Sequence, residues 1–67
     1  MGADAGFTMR GRNGAILRIE PRFLDKRRGY EGWQALVKNG IPWVDLGYRG
    51  NTAEDILRQL RRDGWIQ

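Results

Sequence analysis

The alternation of apolar and polar side chains is clearest from Ala15 to Leu24. There Leu17, Ile19 and Phe23 alternate with Arg18, Glu20 and Arg22, the two-residue period of a half-buried strand. Pro21 has no N–H to give to a ladder, so it implies an edge position or a bulge. The stretch 30–40 fits two periods. As a strand, Trp33, Ala35 and Val37 share one side with Gln34, Leu36 and Lys38 on the other, and Asn39-Gly40 forms the hairpin turn. As a helix, Tyr30, Trp33, Leu36 and Val37 share a face, with Gly40 as its stop and Pro42 just beyond. The hairpin is preferred because Gly29 and Gly32 weaken a helix of marginal length. From Ile41 to Tyr48 a further strand is predicted, with Val44, Leu46 and Tyr48 opposite Trp43 and Asp45.

Thr52 to Asp63 reads as a helix. Thr52 can cap the first turn, with Asp55 in a short-armed capping box, and Ala53, Ile56, Leu57 and Leu60 form an apolar stripe. Glu54 and Asp55 open it and Arg58, Arg61 and Arg62 close it, as the helix dipole favours. Gly64 suits the position just past its end, and Trp65 and Ile66 can fold back onto the core. Residues 1–14, rich in glycine and without periodicity, read as a flexible basic arm. The expected fold is α+β: a small three-stranded antiparallel sheet packed by one C-terminal helix (β-β-β-α), forming a single domain over 15–67.

Composition narrows the function. The 67 residues contain no Cys, no His and no Ser, which removes thiolate nucleophiles, the usual acyl-transfer triads and histidine-ligated metals. Glu54, Asp55 and Asp63 are explained as helix-end residues, and nothing selects Glu31 and Asp45 as an acid–base pair. The expectation is a non-enzymatic binding module with no cofactor and no metal. No run approaches a membrane span and the first residues lack a signal peptide's apolar stretch, so a cytoplasmic location is the default. A chain this small holds a core of only about 3–5 kcal/mol, so self-association to a homo-oligomer or a partner is one way to gain stability.

The net charge of +4 is unevenly placed. Residues 1–28 carry seven basic side chains against three acids, and the remainder carries five of each sign. If the helix covers Leu17, Ile19, Phe23, Trp33, Val37, Val44, Leu46 and Tyr48, the opposite face presents Arg18, Glu20, Arg22, Gln34, Leu36, Lys38, Trp43, Asp45 and Arg49. Arginines beside an exposed tryptophan can meet phosphates and stack on bases. Arg10 and Arg12 in the arm, and the loop with Arg27 and Arg28, add cations suited to a phosphate chain.

Residues 33–57 resemble the three-stranded-sheet-plus-helix domains at the N-termini of tyrosine recombinases and the plant ethylene-response-factor DNA-binding domains. Trp33, Ala35, Val37, Gly40, Leu46, Gly47, Thr52 and Glu54 carry the resemblance. It implies a sheet laid in the DNA major groove, with Arg18, Arg22, Gln34, Lys38, Trp43 and Arg49 toward the duplex. The segment from Gly47 to Thr52 is longer than the family's link, and Asp45 falls on the implied DNA face.

Two functions follow. One is nucleic-acid binding, DNA ahead of RNA, through the basic arm and the sheet face. The other is a protein-binding inhibitor, adaptor or assembly subunit of the kind phages and mobile elements encode, anchored by Trp43, Trp65 and Tyr48 and an open strand edge. Glu20 and Asp45 sharing a face with Arg18 and Arg22 would favour protein. The same acids paired off, with Arg10 and Arg12 joining a continuous basic strip, would favour nucleic acid.

Overall fold

The computed structural model describes residues 6–23, 30–38 and 42–67. Strands β1 (Phe7–Arg10), β2 (Ile16–Phe23), β3 (Tyr30–Lys38) and β4 (Val44–Gly50) precede one α-helix, α1 (Ala53–Arg62), and a short 3-10 turn (Arg12–Gly14) joins β1 to β2. The strands form an antiparallel meander in chain order β1-β2-β3-β4. The class is α+β with a C-terminal helix, but the sheet has four strands, not three. The extra strand lies inside the segment expected as an arm. Phe7-Thr8-Met9-Arg10 alternates on a scale too short to stand out beside its glycines, and is fixed by pairing Phe7 with Ile19 and Arg10 with Ile16.

The stretch 30–38 is a strand, hydrogen-bonded on one side to β2 and on the other to β4. The turn expected at Asn39-Gly40 and the loop bearing Arg27 and Arg28 lie outside the described residues.

Leu17, Ile19, Ala35 and Val37 point from β2 and β3 toward Ile56 and Leu60 of α1, and these six form the buried core. Met9, Trp33, Leu46, Tyr48, Leu57 and Trp65 pack around it. Phe23 and Val44, expected beneath the helix, are instead 58% and 54% exposed. Phe23 lies beyond a register shift in the β2–β3 pairing, and Val44 opens the edge strand, so the ten-residue helix does not cover either.

The ends of α1 follow from sequence. The Thr52 hydroxyl accepts from the Asp55 N–H at 3.2 Å, and the Asp55 carboxylate accepts from the Asn51 N–H at 3.1 Å. At the far end Gly64 is left-handed (φ +84). The Trp65 N–H donates to the Leu60 carbonyl at 2.9 Å and the Gly64 N–H to that of Arg61 at 3.2 Å. This pair of bonds is a Schellman motif, and it turns Trp65 back against the core. Gln59 ties the helix to β4, its Nε2 donating to the Arg49 carbonyl at 2.9 Å.

One irregularity shapes β4. Gln34 pairs with Arg49 and Leu36 with Asp45, so residues 46–48 all lie opposite the single residue Ala35. Gly47 takes up the distortion with a left-handed backbone (φ +88).

Candidate nucleic-acid interface

With Leu17 and Ile19 turned inward, alternation sends Ile16, Arg18 and Glu20 to the open face of the sheet. Register then fixes three rows across that face. Arg10, Ile16 and Lys38 form the first, at whose end Trp43 precedes β4. Thr8, Arg18, Leu36 and Asp45 form the second, and Glu20, Gln34 and Arg49 the third. Arg22 lies within electrostatic reach of Asp45.

Among the candidate residues, Arg10, Arg18, Gln34, Lys38, Trp43 and Arg49 are thus brought to one face. The unexpected strand β1 supplies Arg10. It also adds Thr8, and β2 adds Ile16; the alternation of Phe7 and Met9 with Thr8 and Arg10 was the available signal.

Both acids of this face are engaged. Glu20 accepts from Arg18 Nε at 2.7 Å through Oε1 and from Gln34 Nε2 at 2.8 Å through Oε2. Asp45 accepts from both Arg49 terminal nitrogens, at 3.1 and 2.8 Å, and from the Gly47 N–H at 2.8 Å. The Arg49 hydrogen bonds, followed by that of Gly47, hold the Asp45 carboxyl below its ordinary range. Asp45 raises the Arg49 guanidinium in return. A bidentate pair of this kind presents a neutral unit, not a bare carboxylate, to a ligand.

The first row differs. Arg10, Ile16, Lys38 and Trp43 include no acid, and the Lys38 ammonium lies 5.9 Å from the centre of the Trp43 ring. Trp43 is 37% exposed. A cation beside a partly exposed aromatic can serve a phosphate and a base or sugar together.

Arg12 is placed elsewhere. Its backbone N–H donates to the Trp65 carbonyl at 2.8 Å, its guanidinium lies 4.1 Å over the Trp65 ring, and its Nη1 reaches the Asp63 carbonyl at 3.4 Å. It therefore serves the C-terminal end of α1, where positive charge is favoured, and leaves the strip to Arg10 and Lys38. The acids and arginines do share a face, and the acids are also paired off, so each of the two sequence criteria is met in part.

The expected anchors for a protein partner are differently disposed. Trp65 lies under Arg12, and the Tyr48 hydroxyl donates to Asp63 Oδ2. Partial burial, then this hydrogen bond to Asp63, raises the Tyr48 phenol above its ordinary value. Trp43 alone of the three is exposed. Among the described residues no helix is long and apolar enough to cross a membrane. Comparison with family models, with curated proteins and with solved structures gives no match.

Proposed function

We propose that this chain is a small non-enzymatic nucleic-acid-binding module that meets DNA with the open face of its sheet. The observation that carries the reading is the acid-free row Arg10–Ile16–Lys38–Trp43, beside two rows whose carboxylates are neutralised by Arg18 and Arg49. Arg10 and Lys38 supply phosphate contacts, and Trp43 offers a stacking surface. DNA is favoured over RNA because the B-form major groove admits strands, whereas the A-form major groove is too deep and narrow for side chains to read. The resemblance to recombinase and ethylene-response-factor domains implies the same surface.

A fluorescence-anisotropy titration of labelled duplex across a salt series tests this. Each phosphate neutralised contributes a slope of about −0.9 in log affinity against log salt. A slope near −2 to −3, the sum for two or three neutralised phosphates, is expected on that basis. Negligible affinity for duplex at about 50 mM salt, where phosphate binding is strong, ends the proposal.

A further inference from the structure

A groove of about 580 Å³ opens beside the β1–β2 turn, between that turn and the end of β3. Arg12, Asn13, Gly14, Val37, Lys38 and Trp65 line it. No acid among the described residues lines it. Its volume lies within the range of about 300–1,000 Å³ typical of small-ligand sites, well above what a bare inorganic anion needs. Asn13 and Gly14 are both left-handed (φ +56 and +77), so two successive peptide groups turn through a tight concavity. Both residues belong to a short 3-10 turn, Arg12–Gly14. Successive amides in such a turn form anion-binding concavities.

Charge, amides and an aromatic wall therefore converge on one space. Lys38 belongs both to this groove and to the acid-free row, so the row runs directly into the groove.

We infer that this groove holds one nucleotide, with its phosphate between Arg12, Lys38 and the Asn13–Gly14 amides and its nucleoside against Trp65 and Val37. The Arg12 guanidinium, already stacked on Trp65, offers the flat cationic surface on which bases settle. The nucleotide can come from two sources, a free nucleoside monophosphate or one residue of a bound strand. The inference deepens the nucleic-acid reading by naming where along the face a nucleotide is enclosed.

The test is an NMR titration of the ¹⁵N-labelled full chain with deoxyadenosine monophosphate, with inorganic phosphate and deoxyadenosine as separate arms. The monophosphate is expected to shift the Asn13 and Gly14 amides and the Trp65 indole N–H. Its affinity should fall about tenfold in Lys38→Gln, as expected for removing one charge-assisted hydrogen bond. Arg12→Gln should weaken binding at least as much; because Arg12 also steadies the helix end, Lys38→Gln is the deciding variant.

The inference is overturned if millimolar monophosphate leaves those three signals unmoved, or if Lys38→Gln binds as the parent does. It is also overturned if inorganic phosphate alone reproduces both the shifts and the affinity. A 5′-phosphorylated single strand that shifts the same signals at lower concentration identifies a strand as the source. Monophosphate binding with no oligonucleotide binding keeps the groove and removes the proposed strand-binding role. Oligonucleotide binding that leaves the Asn13, Gly14 and Trp65 signals unmoved, without monophosphate shifts, removes the groove alone.

Discussion

The two faces of the sheet are made by alternate residues of the same strands and obey opposite rules. On the inner face Leu17, Ile19, Ala35 and Val37 meet Ile56 and Leu60 with almost no solvent between them. On the outer face their immediate neighbours Ile16, Arg18, Gln34, Leu36 and Lys38 are half-buried or exposed, and order comes from ion pairs at the surface. Surface pairs contribute little to stability, about 0–1 kcal/mol each, whereas burial of apolar side chains is the dominant favourable term in folding. One face therefore keeps the chain folded and the other is free to vary with what it contacts.

The largest effect should come from the inner face. Leu17→Ala should cost about 2–5 kcal/mol, comparable with the whole stability of about 3–5 kcal/mol expected of a core this size. Circular dichroism with a urea series should show the chain largely unfolded at 25 °C. A variant with an unchanged midpoint would break the contrast.

Next comes the outer face. Arg10→Gln with Lys38→Gln should move stability by no more than about 0.5 kcal/mol per site. The same pair should weaken duplex binding about uniformly across sequences and flatten the salt slope by about 1 for each phosphate no longer neutralised. Loss of fold, or an unchanged slope, would show that the two faces are not separable in this way.

A smaller effect is expected where the helix turns back. Gly64→Ala places a side chain in a left-handed position and should cost about 1 kcal/mol, lowering Tm by about 4–8 °C for a domain of this size.

The smallest is the pH dependence. Asp45, Asp55 and Asp63 are all held below their ordinary value of 3.8. The leading causes are the hydrogen bonds from Arg49, from the Asn51 amide and from Arg62 respectively. A carboxylate depressed in the folded state stabilises fully above its unfolded pKa, and that contribution disappears as pH falls through the folded value. Urea midpoints should therefore be level from neutral pH down to about 5 and decline below about 4. The decline should be shallow because these groups are largely solvated, and Asp45→Asn should remove part of it. A midpoint that stays level to about pH 2, below the usual carboxylate range, would show that these three carboxylates contribute nothing.

The helix was legible because every local signal agreed: the Thr52 cap, the apolar stripe, the charged ends and Gly64. The strand at 30–38 was ambiguous in isolation and is settled by neighbours on both sides, which no local pattern contains. The membership of the outer face followed from alternation, apart from the row reached through β1. What alternation could not show was the state of the acids. In a regular strand, residues four apart are separated by about 13 Å, so Asp45 and Arg49 should not meet. The extra residues at 46–48 bring them into a bidentate pair at 2.8 Å. Arg12 was equally hidden, because the groups that hold it lie some fifty positions away.

The same distortion in β4 governs how copies of this chain behave when crowded. A long, flat outer strand exposes a row of unpaired amides and carbonyls that can template a second molecule. Here three residues, 46–48, occupy the place of one beside Ala35, so the backbone bends partway along and cannot offer a continuous seam. The opposite border of the sheet is only the four residues Phe7–Arg10, ending in a cation. Neither border is fit to nucleate a growing ribbon, and a protein with an open, partly apolar sheet face is thereby kept from polymerising through its edges.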